Sequence, residues 1–388
     1  MRRYAGGGAL AAAVLTALVA ACSTFSADDG TTAPPQDDAS SSDAVAADGE
    51  SGGPVTPPPC EAGTCPTTLL ATSDVQIEWL ALDSKRVIWI AGVQAGGLGD
   101  LYACPKTGCP PEGPTKLFAG ISTGFLASNG ETAFMSEGFG LNVGVWRLDD
   151  GGGRTKVGAL GSLARVFWMV VQKDVLYTID HNNVVEASAG RDRTLRRLSL
   201  PALDGPITLG SYSPADGTNA LAVAVSTSRA YFGSHSTSVL LTCPLADCQF
   251  NFFSTTEAYS YSLATDDGRF FWVGVDTLNQ CDEGATCTSP TIVIQGDAMN
   301  RPLAVLHHAG SLFIEMSAGD LFECKSSNCA VTKRRIAHES GFADGSDGYT
   351  LDGTSYAADG DALYYVARDG TTDGGNAYRV MRLPRSPW

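Results

Sequence analysis

Residues 264–272 (ATDDGRFFW) contain the pattern that decides the fold. An apolar start leads into a polar turn, and the turn leads into a run that ends on or beside an aromatic ring, as expected of a β-hairpin. The pattern occurs six more times, at residues 81–89 (ALDSKRVIW), 127–135 (ASNGETAFM), 169–177 (MVVQKDVLY), 224–232 (AVSTSRAYF), 305–313 (VLHHAGSLF) and 357–365 (AADGDALYY). A strand-forming unit repeated about every 46 residues is typical of a β-propeller.

A further pair of strands follows each copy, most clearly at residues 101–104, 240–243 and 321–324. The sequence therefore predicts an all-β, seven-bladed β-propeller of four-stranded blades. Residues 60–72 match only the end of a unit, and residues 355–385 supply three strands without a fourth. Pairing of residues 67–71 with residues 378–383 would complete this last blade and close the ring. Residues 303–306 are needed by two successive blades, which predicts that one strand there is degenerate.

Ten of the eleven cysteines form close pairs, namely Cys60 with Cys65, Cys104 with Cys109, Cys243 with Cys248, Cys281 with Cys287 and Cys324 with Cys329. Disulfides are the expected state in an exported protein. Zinc is the alternative, but a structural zinc site combines two close pairs in one small module. The pairs at Cys104, Cys243 and Cys324 are predicted to join the third strand of a blade to the fourth. The pair of Cys281 and Cys287 precedes residues 291–294, interpreted as a third strand, and is predicted to close an inserted loop.

The N-terminus has the features of an export signal. Arg2 and Arg3 precede an apolar stretch at residues 9–21, which is too short to span a bilayer. Residues 19–22 (VAAC) resemble the lipobox of bacterial lipoproteins, and this resemblance implies that residues 1–21 are removed and that Cys22 carries the lipid. An ordinary signal peptide with an incidental cysteine is the alternative.

Three domains are therefore expected. Residues 22–59 contain the lipidated cysteine and then no Lys or Arg but seven Asp or Glu, so they are predicted to form a disordered tether. Residues 60–388 form the propeller. Together, the lipobox and the repeats resemble uncharacterised β-propeller lipoproteins of Gram-negative bacteria. The resemblance implies a location in the cell envelope, and Ser23 favours the outer membrane, with the folded domain in the periplasm or at the cell surface.

Composition and motifs limit the chemistry. A net charge of -16 argues against nucleic acid. The sequence has no phosphate loop, Gly-x-Ser-x-Gly elbow or His-Glu-x-x-His motif, so no catalytic residue, metal site or cofactor is assigned. His307 and His308 are interpreted as solvated turn residues. Arg86, Arg229 and Arg269 share one repeat position, interpreted as solvent-facing, and Trp79, Trp89, Trp168 and Trp272 are interpreted as core.

These observations favour a binding or scaffold module, monomeric, with an unknown protein or glycan ligand. The alternative is a hydrolase or polysaccharide lyase at the propeller mouth, which would need His, Asp or Glu side chains converging on the central channel. Long segments at residues 91–99, 201–217, 276–290, 339–353 and 368–376 are assigned to one face of the propeller. The candidate binding residues on that face are Asp276, Asp282, Glu283, Asp344, Asp347 and Asp352. A cationic or metal-bridged ligand is favoured there, although neither acidic cluster has the spacing of a calcium loop.

Overall fold

The computed structural model describes residues 66–92, 98–122, 124–137, 144–158, 165–181, 193–200, 207–212, 220–234, 240–254, 262–266, 268–338, 355–370 and 376–385. They form seven four-stranded antiparallel sheets, as the repeat predicts. Within this part of the chain, no helix has the length and apolar character needed to cross a membrane.

The strands follow one another in chain order. The first strand of the chain is β1 (Thr68–Ser73). Blade one contains β2 (Ile77–Leu82), β3 (Arg86–Ala91), β4 (Leu98–Pro105) and β5 (Thr115–Ser122); blade two β6 (Leu126–Ser128), β7 (Ala133–Glu137), β8 (Gly144–Leu148) and β9 (Arg154–Gly158); blade three β10 (Arg165–Gln172), β11 (Val175–His181), β12 (Arg193–Ser199) and β13 (Ile207–Tyr212); and blade four β14 (Ala220–Val225), β15 (Arg229–Ser234), β16 (Leu240–Pro244) and β17 (Asn251–Ser254).

The remaining blades repeat this order. Blade five contains β18 (Leu263–Asp266), β19 (Arg269–Val273), β20 (Thr277–Asp282) and β21 (Thr291–Gln295); blade six β22 (Pro302–His308), β23 (Ser311–Met316), β24 (Asp320–Lys325) and β25 (Arg334–His338); and blade seven β26 (Tyr356–Ala358), β27 (Ala362–Gly370) and β28 (Asn376–Pro384) with β1. A short helix, α1 (Cys329–Thr332), lies between β24 and β25. The first strand of each blade contacts the first strand of the next, and β26 contacts β2, so the seven blades form a ring.

The nine-residue repeat is the hairpin between the first two strands of each blade. Its rings lie on the second strand and are buried: Trp89, Phe134, Tyr177, Phe232, Trp272, Phe313 and Tyr365. Each ring packs in an apolar cluster shared by two neighbouring blades, as Trp272 does between blades four and five. Burying one large apolar side chain stabilises the fold by about 2 to 3 kcal/mol. The repeated ring therefore holds neighbouring blades together, and this explains its period.

The hairpin turns are fixed by short polar side chains. The Asp83 carboxylate accepts hydrogen bonds from the backbone amides of Lys85 and Arg86 at 2.8 and 2.6 Å. Asp359 does the same in blade seven for the amides two and three residues further on. Such local bonds are why Asp and Asn favour turns.

Strand β1 closes the ring as the sequence predicts. It pairs antiparallel with β28, with Thr68 opposite Arg382 and Ser73 opposite Tyr378. The ladder register shifts between Leu69 and Ala71, which makes Leu70 a bulge residue. Its side chain is buried in the apolar cluster between blades seven and one.

Blade five differs from the sequence interpretation. Its third strand is β20 and its fourth is β21, so residues 291–294, interpreted as a third strand, belong to the fourth. The disulfide Cys281–Cys287 therefore closes the turn between strands three and four, and the prediction of an inserted loop is wrong. It occupies the same position as the three bridges Cys104–Cys109, Cys243–Cys248 and Cys324–Cys329. Strand β22 serves blade six alone, so no degenerate strand is needed.

The fifth predicted cysteine pair lies outside the described residues. Both Cys60 and Cys65 precede residue 66, where the described part of the chain begins. Four of the five predicted disulfides are therefore confirmed. The bridge between Cys60 and Cys65 stays a prediction.

Candidate functional site: the central cavity

The two ends of the ring carry different connections. We call the end with the turns between strands one and two, and between strands three and four, the turn face. The opposite end, with the connections from strand two to three and from strand four to the next blade, is the loop face. The sequence assigns the long segments to the loop face, but residues 283–290 follow β20 and belong to the turn face. The predicted long loop at residues 201–217 is also interrupted, because residues 207–212 form strand β13.

The predicted binding residues do not share one face. Asp276 precedes β20 on the loop face, whereas Asp282 ends that strand and Glu283 follows it on the turn face. The Glu283 carboxylate accepts hydrogen bonds from the hydroxyls of Ser226 and Ser228 in blade four, so it joins two blades. The placement of Asp282 and Glu283 with Asp276 is therefore wrong. Asp344, Asp347 and Asp352 lie outside the described residues.

A cavity of about 620 Å³ occupies the centre of the ring on the turn-face side. The first strands supply its wall, which includes Leu80, Leu126, Val170 and Val223, and it extends outward to the hairpin turns. The volume is typical of a ligand site, and the lining combines these apolar residues with polar side chains from the ends of the hairpins. The sequence predicts the position of this cavity in one respect, because the first strand of each repeat lines the central channel of a propeller.

Three aromatic rings meet at one side of this cavity. Trp168 lines it and lies 5.8 Å, ring centre to ring centre, from Trp79, which in turn lies 4.3 Å from Phe125. The rings come from the first strands of blades one and three and from the residue before β6. All three are half-buried, unlike Trp89 and Trp272. The interpretation as core is therefore confirmed for Trp89 and Trp272. It holds only in part for Trp79 and Trp168, which pack against core clusters but keep part of their surface exposed.

Ionisable side chains of blades five and six line the cavity near its mouth. The Oδ1 atom of Asp266 lies 3.5 Å from Nε2 of His307, and its Oδ2 atom lies 2.7 Å from the Arg269 guanidinium. Burial lowers the pKa of His308, and the charge of Arg385 lowers it further. Both histidines are half-buried, so their interpretation as solvated turn residues is wrong. Among the described residues, no three His, Cys, Asp or Glu side chains are grouped to hold a metal ion.

Contacts between neighbouring blades brace the turn face around the cavity. Arg86, from the hairpin turn of blade one, donates a hydrogen bond to the Asp149 carbonyl of blade two at 2.9 Å, and Arg269 donates to the Ser326 carbonyl of blade six. At the closing junction Lys106 Nζ lies 2.9 Å from Asp359 Oδ2. Arg86 and Arg269 are therefore cross-blade contacts, and the solvent-facing interpretation of this position is wrong for them.

The third arginine of this repeat position differs. Arg229 stays within its own blade, where its Nε donates a hydrogen bond to the Thr242 hydroxyl at 3.2 Å. The arginine of this repeat position therefore contacts the next blade in blades one and five, and its own blade in blade four.

The comparisons with known proteins concern the fold. No family model matches the sequence, and no curated protein is similar to it. A structure described as YCF48 bound to D1 peptide matches with a TM-score of 0.53 and 11% identity over 84% of this chain and 97% of that chain. A chain of a mitotic checkpoint complex matches with a TM-score of 0.54 and 12% identity over 84% and 96% of the two chains. The Neurospora crassa Pan2 WD40 domain matches with a TM-score of 0.53 and 9% identity over 85% and 99%. The chain is thus a seven-bladed β-propeller, and likenesses at these identities establish the fold alone.

Proposed function

We propose that this protein is a lipid-anchored envelope protein whose propeller binds a segment of a partner protein at the central cavity. The cavity carries the proposal, since it joins apolar residues of the first strands and the half-buried Trp168 to a polar mouth. The likeness to a propeller described as bound to a peptide supports a polypeptide ligand. A glycan is the other possible outcome of the test.

The anchor and the location follow from the N-terminus and the cysteines. The four described disulfides are typical of a protein outside the cytoplasm. The lipobox-like residues 19–22 and the acidic, Pro-rich tether support attachment through Cys22. Mass spectrometry of the mature protein tests this: a lipid-modified N-terminal Cys22 is expected, and the Cys22→Ala variant should leave the membrane fraction. A mature chain that begins at another residue would refute the anchor.

Site-specific photo-crosslinking in the producing cells tests the binding site. A photoreactive phenylalanine analogue at Gln172, at the cavity mouth, should crosslink a partner, and the same analogue at Ile292, exposed on the outer strand of blade five, should not. Gln172→Trp, which narrows the mouth, should abolish recovery of that partner, whereas Ile292→Trp should preserve it. Crosslinks at Ile292 alone, or a partner that survives Gln172→Trp, would contradict a site in the cavity.

A hydrolase or polysaccharide lyase is the second candidate, and one observation favours it. Asp266 and His307 converge at the cavity mouth, and a carboxylate beside an imidazole is a common arrangement for general-base catalysis. Purified full-length protein should then cleave a member of a panel of aryl esters and uronic-acid polysaccharides. His307→Asn should abolish that cleavage without altering the near-ultraviolet circular dichroism. Cleavage that survives His307→Asn would reject this pair as the catalytic site.

A further inference from the structure

Glu315 is the one charged residue of β23, a mainly apolar strand. It lies on β23 between the ladder partners Ala304 and Leu321, and only 1% of its surface is exposed. Neither of its carboxyl oxygens makes a well-formed hydrogen bond. An ionised carboxylate in such a place lacks the partners that would offset its lost hydration.

The polar group that faces Glu315 belongs to the neighbouring blade. The hydroxyl of Tyr356, on the first strand of blade seven, is also buried without a well-formed hydrogen bond, and Tyr356 is one of the residues that line the cavity. Its ring stacks on Tyr365 of β27 with the centres 6.4 Å apart. A tyrosine side chain is never cationic, so neither ring offers Glu315 a positive charge.

A second buried acid at the same junction has cations. Glu323, on β24, lies 2.7 Å from the Arg334 guanidinium and 3.8 Å from that of Arg385. Those two arginines compensate the negative charge of Glu323, whereas no cation is among the groups that act on Glu315. The two acids therefore differ in the one feature that permits a buried charge.

Burial raises the pKa of Glu315 from 4.5 to about 8, against a smaller opposing effect of the Tyr356 hydroxyl. Burial also raises the pKa of Tyr356 well above its usual value, and Glu315 adds to that shift. The folded protein thus binds one proton more than the unfolded chain between about pH 4.5 and 8. The stabilisation from neutral Glu315 is fully present below pH 4.5 and is lost as the pH rises through 8.

We infer that the proton on Glu315 keeps the cavity wall closed at the junction of blades six and seven, and that its loss loosens strand β26 there and weakens ligand binding. The effect on binding rests on the proposed function. The effect on the wall does not, because it follows from an uncompensated charge between two packed blades.

Amide hydrogen exchange of the full-length protein without ligand tests the inference, using the amides of residues 356–358 corrected for their intrinsic rates. In the wild-type protein their protection should fall by up to tenfold per pH unit within the window from about pH 4.5 to 8. Glu315→Gln keeps the shape of the side chain but cannot ionise, so the fall in protection with rising pH should be absent from this variant. Equal pH dependence in both proteins would overturn the inference.

Infrared difference spectra provide a second readout that requires no opening of the fold. A protonated carboxyl band present in the wild-type protein at pH 6.5 and absent from Glu315→Gln is expected. Absence of that band from the wild-type protein would also overturn the inference. Because neither measurement uses a ligand, failure of the proposed binding function would leave both results unchanged.

Discussion

Leu70→Ala tests whether β1 holds the ring closed. The matched control is Leu69→Ala, since these neighbouring leucines lie on one strand and differ in burial. Leu70 is 6% exposed and packs with Trp89, Tyr364 and Val380, whereas Leu69 is 51% exposed. Both changes remove the same atoms, so the difference between them measures the contact between blades seven and one.

The expected cost follows from the burial. Leu70→Ala removes about three buried carbon groups at about 0.8 kcal/mol each, or about 2.4 kcal/mol. A cavity left in the cluster increases the loss in the free energy of unfolding toward the range of about 3 to 5 kcal/mol. Leu69→Ala should change it by about 0.5 kcal/mol or less. The backbone of Leu70 is a bulge outside the ladder, so its side chain carries the effect.

Urea unfolding followed by tryptophan fluorescence measures both variants. We expect a lower midpoint with an unchanged slope for Leu70→Ala, and the wild-type curve for Leu69→Ala. Removal of β1 altogether would expose the edge of β28 and should cause aggregation. Equal midpoints for the two alanine variants would refute the role of β1 in closure.

Three further predictions concern the turn face. Replacing Cys281 and Cys287 together by Ser should cost about 2 kcal/mol of unfolding free energy in urea, because the closed ring is small; loss of native near-ultraviolet dichroism would contradict this local role. Arg86→Ala should cost about 2 kcal/mol of unfolding free energy, because it leaves the buried Asp83 carboxylate without its cation. Lys85→Ala removes only the exposed ion pair with Asp150 and should leave the urea midpoint unchanged; a larger loss for Lys85→Ala than for Arg86→Ala would contradict the role of Arg86 in the turn face. The pKa of His308 is lowered in the folded protein, so the contribution of His308 to stability is present above pH 6.5 and is lost as the pH falls through the pKa of the folded state. His308→Gln should therefore reduce the fall of the urea midpoint in acid. An unchanged fall would show that His308 does not cause the acid sensitivity.

The fold was predictable because one local pattern is repeated. A ring at the end of each first hairpin is both a strand signal and a contact between blades, so the same residues determine secondary structure and packing. The sequence interpretation of blade five was wrong because its inner third strand is more polar than its fourth, edge strand. Its third strand, β20, buries Asn279, whose amide donates a hydrogen bond to the Thr277 hydroxyl at 2.8 Å, while its edge strand β21 exposes Ile292. An alternation rule takes the more apolar of two such strands to be the inner one.

The candidate site was only partly predictable. Trp79 and Trp168 lie just before the repeat, on the first strands of their blades. That position could have predicted that their rings lie near the central channel. Glu315, a single acid within residues 311–316 (SLFIEM), was another signal. The contacts of Arg86 and Glu283 with neighbouring blades had no such signal, because they depend on which turns meet when the ring forms.

The pairing of β1 with β28 determines when the protein can finish folding. The two strands lie near opposite ends of the chain, so the last blade cannot form until the C-terminal strand has been synthesised. Contacts between such distant segments are slow to form, because the chain loses entropy before the contact repays it. Until β28 has been made, β1 lacks its ladder partner. Synthesis of β28 is therefore the event that permits ring closure, and a chain interrupted before Asn376 would keep an unpaired β1 however well its first six blades had folded.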